Sequence, residues 1–149
     1  MSENEQSKLD AANKSSEEAT RQAVAEILAT PMYSTEEVAE LVAVVGDPSV
    51  YVGALRRNKT LLGVWDGNAF RHPKFQFKNG TLMPEMASLL AEFPLSEKKG
   101  TGGWERAFWM YFPNELLEGR CPADVFGSDP QAVIVAAREE FAKDGESDW

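Results

Sequence analysis

His72 and Cys121 are the side chains best suited to metal binding or nucleophilic chemistry, and the sequence holds one of each type. His72 stands between Arg71 and Pro73, with no second histidine and no nearby cysteine to complete a metal site. Cys121 lies between Arg120 and Pro122; the arginine favours the thiolate, but no histidine is close in sequence to activate it. The run Gly100-Thr101-Gly102-Gly103 lacks the Lys-Ser/Thr that completes a phosphate-binding loop. The many carboxylates fall mostly on expected helix surfaces, where solvation accounts for them. These residues lead to the expectation of a non-enzymatic protein with no cofactor.

The second kind of chemistry open to this chain is charge recognition. Net charge is −9 over 149 residues, which argues against a surface coated with nucleic-acid-binding groups. The charge is unevenly spread, however. Residues 46–80 hold six bases and two acids, a +4 island, while residues 81–149 hold thirteen acids and six bases. Arg56, Arg57, Lys59, Arg71 and Lys74 belong to the island and are candidate contacts to DNA phosphates. Ser49, Tyr51 and Arg56 are the candidates for reading bases.

Such groups need elements to position them. Residues 1–16 are polar and are expected to be a disordered lead-in. From Glu17, the apolar spacing of Ala19, Ala23, Ile27 and Leu28 predicts a helix that ends before Pro31; it either packs on the adjoining domain or serves as a dimerisation arm. Ser34-Thr35-Glu36-Glu37 is a capping box, and Val38, Leu41, Val42 and Val45 then give one apolar face closed by Gly46. Asp47-Pro48 opens a second helix, with Val50, Ala54 and Leu55 facing inward and Arg56-Arg57 at its end. This pair reads as a helix-turn-helix. Residues 61–65 and 68–71 then read as strands around Asp66-Gly67, a type I′ hairpin signal that supplies a wing.

A short extended piece comes next at Phe75-Gln76-Phe77, then a helix over Thr81–Phe93 stopped by Pro94. Beyond a loop at 96–103 come an aromatic helix from Trp104 to Phe112, a Pro113-Asn114 turn, and a last helix after Asp129-Pro130 with Val133, Ile134, Ala137 and Phe141 inward. Trp109 and Phe112 are expected to supply much of this core. The fold class is therefore mostly α with a small β-hairpin: residues 17–94 hold the N-terminal helix and winged helix-turn-helix, and 95–149 a helical bundle. No apolar run approaches the roughly 20 residues of a membrane span. The lone cysteine and the lack of a signal-peptide pattern lead to the expectation of a cytoplasmic protein.

Two resemblances add to this reading. The run Tyr33-Ser34-Thr35-Glu36-Glu37-Val38-Ala39-Glu40-Leu41, with Arg56-Arg57 and Leu61-Leu62-Gly63-Val64, resembles the winged opening of MerR- or excisionase-like proteins over about residues 33–72. Ala107, Trp109, Pro113-Asn114, Leu116-Leu117, Gly119, Pro122, Val125-Phe126 and Val133 resemble, in their order, the toxin-binding C-terminal domain of Xre/MbcA/ParS antitoxins. The second resemblance implies a transcriptional repressor of its own operon that binds operator DNA as a homodimer and neutralises a RES-type toxin. It implies partner contacts at Trp109, Asn114, Glu115, Arg120 and the terminal Trp149. The alternative is an interaction or immunity module whose acidic surface meets a basic partner without DNA.

Overall fold

A computed structural model describes residues 3–94 and 102–146. The chain divides into two units, residues 1–30 and 31–149. The first is one helix, α1 (Glu3–Leu28). Helix thus begins well inside the expected disordered lead-in. No glycine or proline interrupts residues 3–28, and Glu, Gln, Lys and Ala are good helix formers.

The second unit is mostly helical with small antiparallel sheets. Its elements are β1 (Met32–Tyr33), α2 (Thr35–Leu41), α3 (Pro48–Arg57), β2 (Val64–Trp65), β3 (Phe70–Pro73), β4 (Phe77–Lys78), β5 (Thr81–Leu82), α4 (Glu85–Leu90), α5 (Gly102–Tyr111), α6 (Pro122–Phe126) and α7 (Pro130–Glu146). Short 3-10 turns cover Lys74–Gln76 and Glu115–Leu117. Among the described residues no helix is long and apolar enough to cross a membrane.

The capping box forms as its residues dictate. Ser34 Oγ accepts from the Glu37 N–H at 3.1 Å, and the Glu37 carboxylate accepts from the Ser34 N–H at 3.0 Å. Helix α2 nevertheless stops at Leu41, about a turn before Gly46. The Val44 N–H donates to Ala39 O and the Ala43 N–H to Glu40 O, a Schellman ending with Ala43 left-handed at φ 54. Val44 then packs on the core while Val45, expected inward, is fully exposed. Helix α3 ends the same way: the Thr60 N–H reaches Leu55 O and Lys59 is left-handed at φ 56.

Ala43 is exposed, so its side chain contributes little packing, while the left-handed backbone costs it about 1–2 kcal/mol. Ala43→Gly relieves that cost but adds unfolded-chain entropy. The expected net gain is about 0.5–1 kcal/mol, read as a higher urea midpoint at unchanged slope.

The hairpin differs from expectation in register. Trp65 pairs with Phe70, and the Asp66 N–H donates to Ala69 O, so the turn centres on Gly67-Asn68. Asp66 fixes it, its Oδ1 accepting from the Asn68 and Ala69 N–H groups at 2.7 and 2.8 Å. The two-residue hairpin with both central residues at positive φ lies instead at Asn79-Gly80, between β4 and β5. That hairpin takes Thr81 and Leu82 from the helix expected there. Strand β3 also pairs with β1, giving a three-stranded sheet in the order β1-β3-β2.

Leu61 and Leu62 divide the unit's interior. Successive side chains of an extended segment point opposite ways. Leu61 joins Val38, Ala39 and Val52 in the smaller core at α2 and α3, and Leu62 joins Met86, Met110, Phe126 and Val133 in the larger one. The larger core takes α4 together with α5, α6 and α7, so the division expected at 94/95 falls inside one packed cluster.

Candidate nucleic-acid interface

Helices α2 and α3 pack against each other, and the β1-β3-β2 sheet adjoins them. Asp47 caps α3 by accepting from the Ser49 N–H at 3.0 Å, and the Ser49 hydroxyl donates to the same carboxylate oxygen at 3.0 Å. Ser49 is therefore committed to the cap. Tyr51 is exposed, as is Val50 at 65%, contrary to the inward place its spacing predicts. Val52 takes the buried place, packed with Val38, Ala39 and Leu61.

The cations of the island have different fates. Arg57 is exposed, and Lys59 is half-buried in its left-handed position. Arg71 is exposed on β3 and pairs with Asp66 at 2.9 Å. The Asn68 and Ala69 N–H groups and this guanidinium hold the Asp66 carboxyl down at about 2. Lys74 is exposed, its ammonium 4.6 Å from the centre of the Tyr33 ring. Lys78 donates to Gly127 O at 3.0 Å.

Arg56 turns inward. Its guanidinium lies 3.8 Å from the centre of the Phe70 ring and donates to His72 Nε2 at 2.8 Å. Because arginine can only donate, Nε2 is the acceptor and Nδ1 carries the proton, which it gives to Tyr33 O at 3.0 Å. His72 is fully buried, and burial lowers its pKa to about 4 against the opposing effect of the Tyr33 carbonyl. A side chain at Gly63 has no room: its Cβ would lie 2.6 Å from Arg56 Cδ and 3.1 Å from His72 Cδ2.

In the C-terminal part, Trp109 is half-buried between Phe93 and Phe141 and donates from its indole to Glu140 at 2.8 Å. Phe112, expected in the core, is 48% exposed and stacks on Phe108. Leu117 is buried while Leu116 is exposed. Asn114 is buried and structural: its Oδ1 accepts from the Leu116 N–H at 2.9 Å, and its backbone bridges to Arg120. Glu115 and Arg120 are exposed, and Arg120 donates to Leu117 O at 3.1 Å. Trp109, Asn114 and Glu115 line one surface hollow of about 480 Å³ with Phe112 and Leu116; Trp149 lies outside the described residues. Burial raises the Cys121 thiol pKa, with Asp124 adding to it, opposite to the lowering expected from Arg120.

Sequence reasoning missed Trp104 and Arg106. Both border the end of α3 and the β2–β3 hairpin, but they belong to a helix about 50 residues away, and no local pattern links them to it. No protein-family model, curated protein or solved structure matches the chain.

Proposed function

We propose that this chain is a DNA-binding transcriptional regulator of antitoxin type, a homodimeric repressor of its own operon whose C-terminal helices hold a RES-type toxin. The supporting observation is the adjacency of the helix pair and the hairpin. Arg57 and Lys59 at the end of α3 border the same hollow as Trp65 and Phe70 of β2 and β3, so cations of the second helix lie near the wing. Arg57, Lys59, Arg71 and Lys74 supply backbone contacts in this reading. Arg56 positions the wing through Phe70 and His72, and Tyr51 is the exposed candidate for base contact.

Duplex from the chain's own promoter should shift in a gel at low salt, with steep loss as salt rises. The double substitution Arg57→Ala, Lys74→Ala should weaken promoter and random duplex alike and reduce the salt slope by about 2. Absence of a complex with either duplex at low salt overturns the DNA half. A pull-down of the toxin encoded beside this chain tests the other half.

The exposed Val45, Val50 and Tyr51 favour a second reading, in which this face meets a protein. Co-purification of a tight partner together with absent DNA binding supports it.

A further inference from the structure

A cavity of about 580 Å³ opens between the end of α3, the β2–β3 hairpin and the start of α5. Arg56, Arg57 and Lys59 line one side and Arg106 joins them from α5, while no carboxylate of the described residues lines it. Gly53 leaves open the space where two of these guanidiniums converge. A Cβ there would lie 3.3 Å from an Arg57 nitrogen and 3.5 Å from an Arg56 nitrogen. The two like charges repel, and burial adds to the cost: it lowers the pKa of Arg56, with Arg57 contributing, and that of Arg106, where Glu105 opposes it. Arg57, Lys59 and Arg106 make no ion pair with a described residue.

The remaining wall is aromatic. Trp65, Phe70 and Trp104 line it, and the Trp104 indole N–H donates to Trp65 O at 2.9 Å, tying α5 to the hairpin. Gly103 and Gly63 let the two backbones touch, since a Cβ on Gly103 would collide with Gly63 O. This contact brings Trp104 and Arg106 to the cavity.

Guanidiniums pair with phosphate oxygens in a planar, two-pronged geometry, and indole faces stack on nucleobases. The volume falls in the range of small-molecule sites, about 300–1,000 Å³. We propose that this cavity binds a free nucleotide, its phosphates held by Arg56, Arg57 and Arg106 and its base against Trp65 and Trp104. The site shares Arg57 and the cavity with the DNA reading, so its test rests on Arg106, which like Trp104 has no part in that reading.

Tryptophan fluorescence of the full chain titrated with ADP should show saturable quenching with a Kd below about 1 mM. Arg106→Met should weaken ADP at least about tenfold, with an unchanged circular dichroism spectrum and unchanged affinity for duplex. Arg56→Met should weaken it too, but it also removes the contact to His72, so the Arg106 variant carries the decision. Adenosine should bind far more weakly than ADP, and so should pyrophosphate. No saturation by ADP at low salt overturns the proposal, as does an Arg106→Met variant that binds like the parent. Pyrophosphate binding as tightly as ADP overturns the role of the aromatic wall. Duplex affinity that falls with ADP affinity in Arg106→Met identifies a DNA phosphate as the occupant and overturns the free nucleotide.

Discussion

Replacing Gln76 with leucine is expected to destabilise the fold by about 3–5 kcal/mol. Gln76 is fully buried, and its amide acts as a piece of β-ladder. Oε1 accepts from the Leu62 N–H at 2.9 Å, and Nε2 donates to Leu62 O at 2.9 Å and to Pro73 O at 3.0 Å. Leucine has similar size but no polar atoms. It would leave one buried donor and two acceptors without their side-chain partner, at about 1–3 kcal/mol each, partly offset by the apolar burial it adds. Because small domains are stable by only about 5–15 kcal/mol, much of the margin would go. Urea unfolding of Gln76→Leu against the parent checks this, and a difference below about 1 kcal/mol would refute the clamp. The loss should reach both cores, since the clamped residue carries the segment that sends Leu61 one way and Leu62 the other.

Acid should weaken the fold through His72. The imidazole is neutral and buried between Tyr33 O and Arg56, with a pKa near 4 in place of the usual 6.5. Between those values the unfolded chain binds the proton and the folded chain does not. Stability therefore rises with pH across that window and is lost as pH falls from about 6.5 toward 4. A gap of this size corresponds to about 3 kcal/mol. Protonation also turns Nε2 from acceptor to donor, so it then faces a guanidinium that can only donate. His72→Gln should be less stable than the parent at pH 7 yet show a flatter stability profile from pH 6.5 to 4. Equal slopes for the two proteins over that range would falsify the assignment.

Both predictions concern polar groups that look unremarkable in sequence. His72 has no neighbour in the chain that would make it a metal ligand or a base, and its actual partners are a backbone carbonyl 39 residues away and an arginine 16 residues away. Gln76 sits between two phenylalanines in an apparent strand, and nothing nearby signals that its amide pairs with Leu62. Arg56 shows the same limit. Its place at a helix end suggests solvent and phosphate, whereas Phe70 and the open space at Gly63 draw it inward.

What the sequence by itself determined was local. Ser34 and Glu37 cap α2, Asp47 and Pro48 start α3, and the stripe of Val133, Ile134 and Ala137 buries one side of α7. Each depends on bonds or spacings spanning a few residues, so the chain carries the whole signal. Tertiary structure alone decided the rest: that α2 ends early because Val44 finds a core, that β3 has a second partner in β1, and that α4 shares its core with α5, α6 and α7. It also decided which of the two reactive candidates and six island cations stay available. Of the two side chains that first suggested chemistry, the histidine is buried as a neutral imidazole and the half-buried cysteine has a raised thiol pKa. The cations are sorted by what the fold brings against them: an aromatic ring and histidine for Arg56, a carboxylate for Arg71, a carbonyl for Lys78. Except for Arg71 and Asp66, which share one hairpin, these contacts join residues far apart in the chain, and only packing sets their distances.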